Sequence, residues 1–204
     1  MKIRTTSSIA LILAMMVAFS GASAARCNTA LLVIDMQNYV FSPLSLFHTI
    51  REERELIPAV EDLLVLARTA GLEIMYIRHV AQASPLVDPE RLDVVDELEP
   101  QEGDAVFTKV DVGAFSHDEL GEYLREHGIR RLLLSGLSSQ GAVRSTLFAG
   151  IREGYDMLVV EDAHSDGSAA IDAKRANNTW RGQEIAVTMM ADIDWGAFGC
   201  GGDS

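Results

Sequence analysis

The sequence is short of the groups that most readily announce a chemistry. It has two cysteines, Cys27 and Cys200, one near each end and both outside the predicted core. Their spacing offers no zinc-type site. In an oxidising compartment they can pair and tie the two termini together; the alternative is two unpaired terminal thiols. Basic side chains are scarce, 17 against 30 acidic ones, for a formal net charge of −13. Phosphates would be repelled, so nucleic acid is excluded as an expected partner. A solvated acidic surface accounts for the charge without reference to a substrate. Repeats, low-complexity tracts and interdomain linkers are absent. With 48% hydrophobic residues, the chain suits one domain with a sizeable core.

Long apolar runs are missing as well, with one short exception, Ile9 to Phe19. That run is too short to span a bilayer comfortably, which argues against an uncleaved anchor. Lys2 and Arg4 precede it and Ala22-Ser23-Ala24 follows it, the form of a secretory signal peptide. Residues 1–24 are therefore expected to be cleaved, leaving 25–204 as the mature domain. Arg26 breaks the small-residue pattern that a lipoprotein site at Cys27 would need. The protein is expected to be exported, periplasmic or secreted, with no membrane contact after cleavage. Losing Lys2 and Arg4 brings the mature charge to about −15.

What is present is an alternation of strand and helix patterns. Ala30 to Ile34 is a continuous apolar run, as in a strand buried on both faces, and ends at Asp35. Glu52 to Ala70 has helical apolar spacing and stops at Gly71. Leu72 to Ile77 is a second strand ending at Arg78-His79. Val80 to Asp104 is a polar, acidic excursion with one short helix near Arg91 to Leu98. Ala105 to Thr108 is a third strand, followed by Lys109. Ser116 to Glu119 reads as a capping box opening a helix that stops at Gly128. Arg131 to Gly150 reads as strand, tight loop and helix. Tyr155 to Val160 and Glu184 to Met190 are further strands, with a helix from Ser168 to about Trp180 between them. Such alternation predicts a three-layer α/β fold, a parallel sheet with helices on both faces. Ligands bind beyond the carboxyl ends of its strands. Asp35, Arg78, Lys109 and the Ser138–Ala142 loop all fall there. An aspartate after a buried strand is costly unless paired or functional, and Lys109 is its natural partner. The pair is either a structural brace or a proton-transfer couple beside the loop's N–H donors.

The segments ALLVIDMQNYVF around Asp35, FTKVDVGAF around Lys109 and SGLSSQGAVRSTLFAGIREGYDMLVVEDAHS occur in this order. Together they make the chain resemble the isochorismatase-like hydrolase superfamily, which includes nicotinamidases, N-carbamoylsarcosine amidases and isochorismatase. The resemblance covers about Thr29 to Met190. It implies a six-stranded parallel sheet of order 3-2-1-4-5-6 and a homo-oligomer; no cofactor is expected. It also implies a cis peptide at Leu137–Ser138, and an oxyanion-binding loop including Leu137, Ser138 and Gly141.

In the amidase members, aspartate, lysine and cysteine form a triad. The first two match Asp35 and Lys109. The cysteine position is Ala142, and a methyl group cannot attack a carbonyl. Isochorismatase members also carry a small residue there and hydrolyse a vinyl ether, with the aspartate as proton donor. Gln37, Arg78 and Phe115 are the expected substrate contacts. Arg78 would hold a carboxylate, although a strand-end arginine is as often a surface charge. The nicotinamidase metal site needs an aspartate and paired histidines before the second strand. His48 stands alone there, so no catalytic metal is expected. His79 and His164 read as loop or supporting residues. The resemblance implies an exported hydrolase of a small molecule. Two alternatives are a catalytically silent binder of a small molecule or protein, and an amidase whose nucleophile was replaced.

Overall fold

Thr29–Ile34 has no side chain that reaches water, so this strand must lie at the centre of a sheet covered on both faces. It does so in the computed structural model, which describes residues 27–41, 50–80, 89–166 and 170–198. The strands are β1 (Thr29–Ile34), β2 (Glu73–His79), β3 (Ala105–Lys109), β4 (Arg131–Leu137), β5 (Asp156–Ser165) and β6 (Ala186–Thr188). The helices are α1 (Asn38–Phe41), α2 (Ile50–Thr69), α3 (Asp118–Glu126), α4 (Arg144–Arg152) and α5 (Ala170–Arg181). All ladders are parallel and the sheet order is β3-β2-β1-β4-β5-β6. The expected fold class and strand order are thus the observed ones.

The period-two alternation of β1 divides the core. Leu31 and Val33 join one cluster with Leu56, Ile57, Val60, Leu63 and Leu64 of α2. Ala30, Leu32 and Ile34 join the other, with Leu120 and Leu124 of α3, Leu147 of α4 and Trp180 of α5. Helix α2 contains Pro58, which costs about 3 kcal/mol in a helix interior. Its five large buried side chains each contribute about 1.5–3 kcal/mol, so packing outweighs that defect.

Several boundaries differ from the sequence reading. β5 continues past the polar Glu161-Asp162 to Ser165, because its pairing with β4 shifts between Leu134 and Gly136 and resumes at His164. β6 keeps only Ala186–Thr188. Among the described residues, the acidic excursion forms two single 3₁₀ turns, Pro89–Leu92 and Asp96–Leu98. The predicted capping box is not formed. Ser116 closes a separate 3₁₀ turn, and α3 starts after His117 with no side-chain cap.

The predicted leader, His48 and Cys200 lie outside the described residues. Cys27 is disulfide-bonded, and no described cysteine is free. Among the described residues, no helix is long and apolar enough to cross a membrane.

Candidate active site

The parallel sheet sends the ends of β1, β3 and β4 to one edge. Asp35 follows β1 in a left-handed backbone conformation, φ 52°, which is uncommon for a residue other than glycine. Its amide donates to the Ile77 carbonyl at 2.9 Å, fixing the turn against β2. Lys109 Nζ donates to Asp35 Oδ2 at 2.9 Å and reaches the Asp111 carbonyl at 3.4 Å. Both side chains are nearly sealed from water, at 12% exposure for Asp35 and 2% for Lys109. Asp35 Oδ1 is buried with no hydrogen-bond partner among the described residues. A carboxylate oxygen left unpaired in a dry site is costly, and it is the oxygen still available to a substrate proton. Burial pushes the Asp35 carboxyl above the usual carboxylate range, against the opposing pull of the Lys109 ammonium. Tyr39, near enough to feel the Asp35 charge, has its phenol pushed up by burial and by that charge, so it stays protonated. Nothing in its sequence context marked Tyr39 out.

The Leu137–Ser138 peptide is cis, where the resemblance put it. A single π-helical turn, Ser139–Val143, then leads into α4. Ala142 lies in this turn, buried among the α3/α4 core residues. The expected oxyanion donors need correction. The Gly141 and Val143 amides both donate to the Ser138 carbonyl, at 3.0 and 3.1 Å. The Gln140 amide donates to Asp166 Oδ2 at 2.8 Å, and the Arg144 amide to the Gly141 and Ser139 carbonyls. Gly141 is therefore not a donor to a ligand. Leu137 belongs to the β4–β5 ladder, so Ser138 is the expected donor that these bonds leave open. Gly141 has a different role, since a Cβ there would stand 2.6 Å from Ser138 Oγ.

Three expected substrate contacts are not brought into the site. Gln37 is fully buried; its Nε2 donates to the His79 and Leu92 carbonyls and its Oε1 accepts from the His79 amide. With every polar group of the amide occupied, Gln37 braces β1 to β2. Arg78 pairs with Asp93 at 2.9 Å. His79, not Arg78, stands opposite Lys109 in the β2–β3 register, so alternation sends Arg78 to the other face. Phe115 stacks on Tyr155, with ring centroids 5.6 Å apart, and Tyr155 precedes β5 at the sheet's opposite edge. No group of three or more described His, Cys, Asp or Glu residues is placed to hold a metal ion.

Behind the loop lies a polar chain of Ser139, His164 and Asn177, all buried. His164 Nδ1 is 2.7 Å from Ser139 Oγ, and Nε2 is 2.8 Å from Asn177 Oδ1. Burial pushes the imidazole down to about 4, against the pull of Glu161 and Asp162. The unfolded chain therefore takes up this proton below about 6.5, while the fold refuses it down to about 4. Stability carried by neutral His164 is complete above that window and falls as pH drops through it. The stability gap between the protein and a His164→Gln variant should narrow by up to about 3 kcal/mol between pH 6.5 and pH 4. Urea unfolding at a series of pH values measures it, and a pH-independent gap would contradict the assignment.

The class is that of the three-layer α/β folds with a parallel sheet, here with a buried acid–lysine pair at its carboxyl edge. Within that class the chain belongs to the isochorismatase family, for the isochorismatase domain profile matches residues 29–192. A secreted isochorismatase effector of Verticillium dahliae is 30% identical over 175 residues, covering 84% of this chain and 87% of that protein. A ureidoacrylate amidohydrolase of Caulobacter segnis is 30% identical over 172 residues, covering 67% of this chain and 72% of that protein. Among solved structures, an isochorismatase family protein from Desulfovibrio vulgaris aligns with a TM-score of 0.74 at 25% identity, covering 82% of this chain and 96% of that one. N-carbamoylsarcosine amidase from Thermoplasma acidophilum aligns at 0.68 and 26% identity, covering 81% and 98%.

Proposed function

We propose that this protein is an exported hydrolase of a small molecule that works without a covalent thiol intermediate. The observation that carries the reading is Asp35. Its carboxyl is buried against Lys109, raised above the ordinary range, and has one oxygen unpaired. A carboxyl shifted this way is a better proton carrier than an ordinary carboxylate and can deliver a proton to a substrate. For a vinyl ether, the proton goes to the terminal carbon and water adds to the resulting oxocarbenium carbon. Asp35 takes the proton of that water, and the adduct collapses to a carbonyl compound and an alcohol. Lys109 supports the carboxylate that appears midway. The Ala142 methyl offers no nucleophile, so the two-step acyl route of a cysteine amidase is closed. Export is supported by the leader-like residues 1–24 and by the similarity to a secreted effector. A homo-oligomer remains part of this reading.

The test is turnover of a panel of vinyl ethers and amides by the purified protein, before and after iodoacetamide. Vinyl ether hydrolysis that survives alkylation is the expected result. Ala142→Cys should add amide hydrolysis that iodoacetamide abolishes. Binding of a panel member with no turnover of any would instead support the silent binder, which the methyl at position 142 also fits. Inactivation of the unmodified protein by iodoacetamide would overturn the mechanism.

A further inference from the structure

The Ser139–His164–Asn177 chain has no part in the proton transfer above. Its hydrogen atoms can be placed by elimination. The Glu161 carbonyl can only accept, and Asn177 Nδ2 faces it at 3.5 Å, so Asn177 Oδ1 is the atom turned to the imidazole. Oδ1 can only accept, so His164 Nε2 carries the proton. Nδ1 is then a bare lone pair, and the Ser139 hydroxyl donates to it. Hydroxyl, imidazole and amide in this order look like nucleophile, base and orienter. Ser139 is completely buried, however, and its hydroxyl is spent on the bond to His164 between the turn and β5. The chain serves another purpose.

We propose that Asn177, His164 and Ser139 are positioning residues that set the loop between β4 and α4 against the Asp35–Lys109 pair. This rests on the reading of that edge as the active site. Three elements meet in the chain: α5 through Asn177, β5 through His164, and the π-helical turn through Ser139. The tether grips the turn immediately after the cis peptide and three residues before Ala142. Seized from behind at Ser139, the turn has its Ala142 side fixed relative to β1 through the β1–β4 ladder, which ends at Ile34 and Gly136. The chain also suits its task chemically. It uses directional bonds among buried groups, where a missing partner is costly, so the loop has one favoured placement. The Trp180 ring, 5.5 Å from the imidazole, backs the chain on the core side.

The experiment compares Ser139→Ala, Ser139→Thr and Asn177→Leu with the unmodified protein. Ser139→Ala should lower kcat roughly 10- to 100-fold with KM nearly unchanged, because a displaced loop harms the reaction more than binding. Ser139→Thr keeps the hydroxyl and should restore kcat. A Ser139→Ala enzyme with undiminished kcat, or a Ser139→Thr enzyme as impaired as Ser139→Ala, would overturn the proposal. A second arm needs no turnover. Hydrogen exchange of the amides from Gln140 to Val143 should quicken about tenfold or more in Ser139→Ala and in Asn177→Leu, with β1 and β2 unchanged. Unchanged exchange in the turn, or equal loss across the whole sheet, would refute a positioning role. A protein with no activity but with this local exchange response would count against the proposed function and in favour of the tether.

Discussion

Asp35→Asn should lower turnover by about 10²–10⁴-fold, the usual contribution of a positioned general acid. The amide keeps the shape of the carboxyl but cannot hand over and recover a proton at Oδ1. The same change also weakens the hold on the Lys109 ammonium, which donates to Asp35 Oδ2 and whose side chain is 2% exposed. Breaking one partner of a buried pair typically destabilises by about 3–5 kcal/mol, so loss of activity alone would not separate chemistry from folding. The double variant Asp35→Asn, Lys109→Met separates them. It leaves no buried charge, so its unfolding midpoint should recover most of the loss while its activity stays at the level of the single variant. Full turnover in Asp35→Asn, or recovery of activity along with stability in the double variant, would show that the carboxyl does not transfer the proton.

Gly136→Ala should destabilise the fold by roughly 2–6 kcal/mol, combining left-handed backbone strain with overpacking. Gly136 sits in β4 at φ +101°, and a Cβ built there stands 2.1 Å from the Ile34 carbonyl oxygen. That oxygen belongs to the central strand directly beside it, so neither partner can give way without disturbing the ladder. The site would suffer as well, since Ile34 leads into Asp35 and Gly136 into the cis peptide. Gly103 is the control. Its φ is +97°, yet nothing lies within 4 Å of the added Cβ. Gly103→Ala should cost only the backbone term, about 1–2 kcal/mol. Urea unfolding of the two variants decides the matter, and equal losses would show that contact with Ile34 is unimportant.

The features fixed by local pattern were legible in the amino-acid sequence alone. A strand buried on both faces must be an unbroken apolar run, as Ala30 to Ile34 is. Asp35 follows such a run and Lys109 follows the short strand pattern Ala105 to Thr108, so alternation of strands and helices was enough to bring them to one edge of a parallel sheet. The resemblance that the motifs carry implied the sheet order and the cis bond, and put Ala142 at the position of the amidases' nucleophile.

The tertiary structure decided which way side chains turn where the strands end. Arg78 follows β2's apolar run just as Lys109 follows β3's, but the register places His79 opposite Lys109 and turns Arg78 to Asp93 on the other face. Gln37 and Phe115 lie in the same motifs as Asp35 and Lys109, yet one braces two strands and the other stacks on Tyr155. Gly141's amide is a donor in any sequence reading; only the π-helical turn shows that Ser138 already occupies it. The shift in β4–β5 pairing likewise brings His164 beside Gly136 and to Ser139, joining residues 25 positions apart in the chain. Periodicity is a property of one segment, whereas register, bulges and hydrogen-bond occupancy arise between segments, and those contacts exist only once the sheet has formed.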